Sequence, residues 1–167
     1  MPVRLRPMDP SDAAPLGAMH HQAWLDSYGA ALPADYFDHW TVRDAVESWE
    51  RILGETDLPG TVRLVAVDGS VVAGFAVAGP TRVVAERPPQ ARDRELRGIY
   101  VARPRLGTGL GQRLLDGVVS AAEPLELWVF EHNARARAFY ARNGFTPDGA
   151  TFVDQRFPDL PEVRMVR

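Results

Sequence analysis

An α/β fold built on one mixed sheet is what the sequence predicts, on three observations. Apolar runs of period two and of period 3.6 succeed one another in the order β-α-α-β-β-β-α-β-α-β-β. Three of the strand patterns are consecutive, and two of them flank Asp68-Gly69, the dipeptide of a tight hairpin, so part of the sheet is antiparallel. A strand–helix–strand–helix run follows, which calls for a parallel crossover. At 167 residues, 46% of them apolar and 25% charged, the chain is expected to form a single domain spanning 1–167.

Each element has a local reason. Val3–Arg6 reads as a short first strand. Asp9–Ala30 reads as a helix with Ser11 or Asp12 as N-cap, Leu16, Met19, Ala23 and Tyr28 near helical spacing, and Gly29 as its stop. "LPADYF" has turn character. Thr41 caps a second helix to Gly54, whose apolar side is Val46, Trp49, Ile52 and Leu53. "TVRLVAV" and "SVVAGFAVAG" are the arms of the hairpin, and the proline-rich stretch after them is loop. Glu95–Ala102 is a strand, Gly109–Ala122 a helix, "LELWVF" a strand, and "NARARAFYARNG" a short helix stopped by Gly144. "FTPDGATFV" and "EVRMVR" close the sheet.

Composition removes several kinds of chemistry. There is no cysteine, hence no disulfide, thiolate metal site or cysteine nucleophile. The four histidines form no HExxH pattern, and a metal is not expected. All 19 basic residues are arginine, the net charge is −3, and no basic run exceeds "ARDRELR". Nucleic acid is therefore not the expected partner, and a cationic small substrate suits the charge better. No apolar run reaches the ~18 residues of a membrane span. "MPVRLRPMDPSD" has no apolar stretch of signal-peptide length, so a cytoplasmic location is expected.

Gly107, Gly109 and Gly111 stand where a strand ends and a helix begins. The first turn of a helix has unpaired N–H groups and partial positive charge, and glycine lets an anion come close to them. A strand–glycine loop–helix junction can thus cradle phosphate with main chain alone. The P-loop pattern fails because the chain has no lysine, and GxGxxG fails because Gln112 holds its last position. Packing alone would also account for glycines at such a turn.

"ELRGIYVARPRLGTGLGQRLL" followed by "LELWVFEHNARARAFYARNGF" resembles the GNAT superfamily of N-acetyltransferases. That family carries a strand, Q/R-x-x-G-x-G/A and a helix, then a strand, an asparagine opening a helix, and A-x-x-F-Y-x-x-x-G-F. The likeness is specific from about Glu95 to Thr146, through Asn133, Phe139-Tyr140 and Gly144-Phe145. Leu106 departs from it, standing where the family often has glutamine or arginine.

The resemblance implies the GNAT acyl-CoA N-acyltransferase fold and acetyl-CoA as co-substrate. The main chain of Leu106, Gly107, Thr108, Gly109, Leu110 and Gly111 would hold the pyrophosphate, and backbone N–H groups of Ile99 and Val101 the pantetheine and thioester carbonyl. Asn133 reads equally as an N-cap and as a cofactor contact. It lies seven residues, about two turns, before Tyr140, nearly on one face. By resemblance Tyr140 is the general acid for the leaving thiolate, and a phenol is protonated at neutral pH. Glu95 lies at the offset of a base found in some family members, with Glu131 as the competing carboxylate and a solvated strand end as the plain alternative for Glu95. Trp24 and Tyr28 share a helix stripe with His20 and are candidates for the acceptor wall, although such stripes are more often core. Without cysteine, transfer is expected to be direct, to a small-molecule, amino-acid, antibiotic or protein N-terminal amine. Family members are often homodimers. A non-catalytic acyl-CoA-binding module would keep the glycine loop but need neither Tyr140 nor Glu95.

Overall fold

The computed structural model describes residues 3–167. Seven strands form one sheet in the order β1-β2-β3-β4-β5-β7-β6. They are β1 (Arg4–Pro7), β2 (Val62–Asp68), β3 (Val71–Pro80), β4 (Arg94–Val101), β5 (Glu126–Phe130), β6 (Thr146–Phe152) and β7 (Glu162–Val166). All neighbours are antiparallel except β4 and β5, which run parallel. The helices are α1 (Ala13–Tyr28), α2 (Tyr36–His39), α3 (Val42–Gly54), α4 (Leu110–Val118) and α5 (Ala134–Arg142). The mixed α/β sheet is thus the expected one.

Strand alternation gives the sheet two apolar faces. Val65, Val67 and Phe75 turn toward α1 and α3, packing on Leu16, Met19 and Trp49. Ala66, Ala76 and Ala78 turn the other way, under Leu110, Leu114, Leu115 and Val118 of α4 and Tyr140 of α5. Close approach is built in with glycine: a Cβ on Gly17 of α1 would lie 2.6 Å from the Val46 Cα of α3. A third apolar cluster, with Tyr28, Leu32, Phe130, Phe157 and Leu160 at its centre, joins α1 to β5 and the β6–β7 connection.

Two local expectations are corrected, and the ends of the first helix fall where expected. α1 has Asp12 as its N-cap residue, and the 3-10 turn Pro10–Asp12 before it is capped by Asp9, whose carboxylate accepts from the Ser11 N–H at 2.9 Å while Asp12 accepts from the Asp9 N–H at 2.9 Å. Gly29 is the C-cap at which that helix stops, with a right-handed φ of −55°. "LPADYF" carries the start of the one-turn helix α2. The second correction is α4, which ends at Val118 rather than Ala122 because Val119 is extended and Glu123 folds back to accept from the Ser120 N–H at 3.1 Å. Thr41 caps α3 with Asp44 returning the bond, and Asn133 caps α5, both as expected.

Candidate active site

β4 and β5 share a single register pair, Glu95 with Glu126, and then part. Six residues of β4 and four of β5 lie beyond that pair without facing a ladder partner across the gap. On the other side of β4, the Ala102 N–H donates to the Ala73 carbonyl at 2.9 Å. Amides alternate sides along a strand, so those of Val101 and Ile99 point into the gap. Just before them Val77 faces Gly98 while Ala78 faces Leu96, which makes Arg97 the extra residue of a β-bulge. Bulges bend a strand and end regular pairing.

A cavity of about 700 Å³ opens at this gap. Trp24, Tyr28, Glu95, Ile99, Val101, Leu106, Gly107, Gly109, Gly111, Asn133 and Tyr140 all line it. Thr108 and Leu110 offer main chain only: the Thr108 hydroxyl donates to the Arg105 carbonyl at 2.7 Å, and Leu110 is buried in the core. Glu131 is exposed and lies outside the lining.

The glycine loop has the form of an anion cradle. Gly107 and Gly109 have φ of +77° and +82°, the left-handed region that L side chains rarely occupy. Nothing lies within 4 Å of where a Cβ would sit on either, so conformation rather than crowding selects glycine there. The first bond of α4 runs from the Arg113 N–H to the Gly109 carbonyl at 3.1 Å. The amides of Leu110, Gly111 and Gln112 precede it and have no partner within the helix. Exposed Arg135 and Arg142 of α5, with Arg103 and Arg105 before the loop, place positive charge around this end of the cavity. Main-chain donors, open space and arginines together suit a diphosphate.

Asn133 does two things. Its Oδ1 accepts from the Ala136 N–H at 3.0 Å, and its Nδ2 donates to the Tyr28 hydroxyl at 3.0 Å. Burial raises the pKa of Tyr28, which the bond from Asn133 opposes. Tyr140 is buried with its ring against Phe139 and Phe145. Burial, with the Tyr28 phenol nearby, pushes its pKa up, so it stays protonated.

Glu95 is almost wholly buried and not free. Arg82 donates to its Oε1 from a terminal nitrogen at 2.7 Å and to its Oε2 from Nε at 3.0 Å and from its backbone N–H at 3.2 Å. Burial alone would raise its pKa, but these bonds and the charge of Arg82 prevail and lower it. It is an ionised carboxylate anchored to the β3–β4 loop. Glu126, also buried, accepts from the backbone N–H groups of Ala91 and Arg92 at 2.6 and 2.9 Å, fastening the same loop over the sheet.

The sequence reading missed part of the lining: Tyr100, Arg82, Arg87, Arg156, Phe130 and Phe157. Tyr100 had a signal, because alternation from Ile99 and Val101 sends its side chain to the α1 face, where the Trp24 Nε1–H donates to its hydroxyl at 3.1 Å. The third member of the expected stripe, His20, turns away from the cavity lining and packs against Trp49, Phe75 and Tyr100.

A splayed parallel pair, a glycine-loop cradle and a buried phenol define an acyltransferase of the coenzyme A-dependent kind. The chain belongs to the acetyltransferase (GNAT) family, whose model matches residues 21–145. Its curated relatives include the probable N-acetyltransferase Rv2775 of Mycobacterium tuberculosis, 27% identical over 90% of this chain and 84% of that protein. Among solved structures it resembles PaiA N-acetyltransferase of Thermoplasma acidophilum in complex with coenzyme A, with a TM-score of 0.68 at 18% identity over 100% of this chain and 99% of the other. It also resembles the ribosomal-protein-alanine N-acetyltransferase of Brucella melitensis, with a TM-score of 0.63 at 24% identity over 98% of each chain. These two likenesses are of fold. The protein is an acetyltransferase.

Proposed function

We propose that the chain, acting as a single domain in the cytoplasm, moves the acetyl group of acetyl-CoA directly to a primary amine. The amine is that of a small molecule, an amino acid, an antibiotic or a protein N-terminus. The observation that carries the reading is the position of the Tyr140 phenol, protonated and in the wall of the cavity that opens where β4 and β5 part.

In this reading Gly107, Gly109 and Gly111, with the amides between them, hold the pyrophosphate, and Asn133 closes the cavity at the start of α5. The amides of Ile99 and Val101 take the pantetheine arm, and one of them donates to the thioester oxygen as negative charge builds there. The free amine nitrogen forms its bond to the acetyl carbon while the carbon–sulfur bond breaks, Tyr140 gives its proton to the departing sulfur, and the proton the nitrogen sheds as the amide forms is returned to the Tyr140 oxygen. The amine's own surplus proton passes through water to Glu95, whose Oε1 has a single close donor. With its pKa lowered, Glu95 is a weak base, so much of the activation falls to the pH of the medium.

Thiol release from acetyl-CoA over a panel of amines tests the reading, alongside thermal shift with the coenzyme. Coenzyme at ~100 times its Kd should stabilise the fold by roughly 2.7 kcal/mol. Tyr140→Phe should keep that shift and lose on the order of 10²-fold or more in kcat. Unchanged turnover in Tyr140→Phe removes it as the acid, and no shift with coenzyme removes the cradle.

A further inference from the structure

Away from the glycine loop, the cavity lining is of two kinds. One is aromatic. Trp24 and Tyr28 of α1 pack edge-to-face with centroids 5.1 Å apart, Tyr28 meets Phe130 of β5 at 4.9 Å, and Trp24 meets Phe157 at 5.7 Å. Their polar tips are already engaged, Tyr28 by Asn133 and Trp24 by Tyr100. The wall is therefore fixed before any ligand arrives, and it offers ring edges and faces rather than free polar groups.

The rest of the lining there is ionic but internally neutralised, with Arg156 itself 5.5 Å over the Phe157 ring. Glu95 holds Arg82 at 2.7 Å, Asp154 holds Arg156 at 2.6 Å and Glu162 holds Arg87 at 2.9 Å. Arg97, also in the lining, donates to the Pro80 carbonyl rather than to a carboxylate. Each of these three acids has a guanidinium of its own, the fourth acid of the lining, Asp26, has Arg103 at 4.0 Å, and Arg97 adds a further cation. A second ammonium group on the acceptor would face matched charge and the surplus arginine, which disfavours it. An aryl group, in contrast, meets ring surface of Trp24, Tyr28, Phe130 and Phe157 in the lining.

We infer that the acceptor is a monoamine carried on an aromatic ring, an arylalkylamine whose ring lies against Trp24, Tyr28, Phe130 and Phe157. The inference rests on the amine-acetylation reading above and narrows it. Amines with several charges and amines with a plain alkyl body are the poorer substrates.

Steady-state thiol release at saturating acetyl-CoA decides it, using phenethylamine, tryptamine, n-hexylamine and spermidine. The two aryl amines should exceed the other two in kcat/KM by about tenfold or more. Phe157→Leu should raise KM for the aryl amines and shrink their advantage over n-hexylamine, with KM for acetyl-CoA unchanged. Equal or better use of n-hexylamine or spermidine overturns the inference, as does a Phe157→Leu protein with its preference intact. If that variant does not fold, the ratio measured on the unaltered protein decides alone. Calorimetric titration with coenzyme A separates the two levels. Coenzyme bound with none of the four amines acetylated sinks the aryl assignment and spares the acetyl-transfer reading, whereas no coenzyme bound sinks both.

Discussion

The side-chain amide of Asn133 bridges two helices: it caps α5 with its oxygen and, 3.0 Å from the Tyr28 hydroxyl, pins the end of α1 with its nitrogen. The helix that carries Tyr140 is thereby registered against the helix that carries Trp24. Losing an N-cap costs about 1 kcal/mol, and a buried hydroxyl left without its donor adds to that. Asn133→Ala should therefore lower the denaturation midpoint measurably. Asn133→Asp, which keeps the cap oxygen and loses the donor, should recover most of the stability but not the acceptor KM. Equal KM values in Asn133→Asp and the parent protein would show that the link to Tyr28 is structural only.

Glu95 is ionised throughout the neutral range, so kcat/KM should climb with pH along the acceptor's own titration. Because Glu95 is a weak base, Glu95→Gln should cost only about tenfold at pH 7, and the deficit should close toward pH ~9.5, where the amine arrives free of its extra proton. A deficit that stays constant with pH would falsify the base role and leave Glu95 as the anchor of Arg82. The same carboxylate stabilises the fold above the unfolded-state value of 4.5, and that contribution is lost as the pH falls through its lower folded value.

His20 gives a second acid-sensitive term with a different window. Burial among aromatic rings, with His21 adding to it, lowers its pKa from 6.5 to about 4. The unfolded chain takes up that proton first, so stability is full above pH 6.5 and drains as the pH drops toward 4. The loss should be on the order of 3 kcal/mol. Chemical denaturation of His20→Phe between pH 7 and pH 4.5 should give a flatter curve than the parent protein. Parallel curves would assign the acid loss elsewhere.

Gly109→Ala separates conformation from crowding. The space beside Gly109 is open, and only its φ of +82° resists a side chain. The variant should fold with a loss of about 1–2 kcal/mol and bind coenzyme A more weakly by calorimetry, because the loop relaxes away from the left-handed turn that aims its amides. Full affinity in Gly109→Ala would mean that the amides of α4 are not the cradle.

What could be read in the sequence was whatever depends on neighbours along the chain. Asp68-Gly69 announces a hairpin because Gly69 needs φ of +62°, and Thr41 with Asp44 announces a helix start because the cap closes within four residues. The Ile99 and Val101 amides pointing into the gap follow from alternation once β3 is known to lie on the other side. The Glu95–Arg82 pair spans thirteen residues across a proline-rich loop, and Glu126 meets Ala91 and Arg92 across about thirty-five. No periodicity encodes either bond. The aromatic wall is drawn from α1, β5 and the segment after β6, three parts of the chain that meet only when the sheet is assembled. For that reason Trp24 and Tyr28 could be named early and Phe130 and Phe157 could not.

The lone rung between Glu95 and Glu126 divides the sheet into a half made of β1 to β4 and a half made of β5 to β7. A pantetheine arm laid along the open amides would act as a surrogate strand, supplying the ladder that the chain itself leaves out. Coenzyme is then mortar as well as reagent. Amide exchange across the seam, in β4 after Gly98 and throughout β5, should slow on binding far more than exchange in the β1–β3 meander.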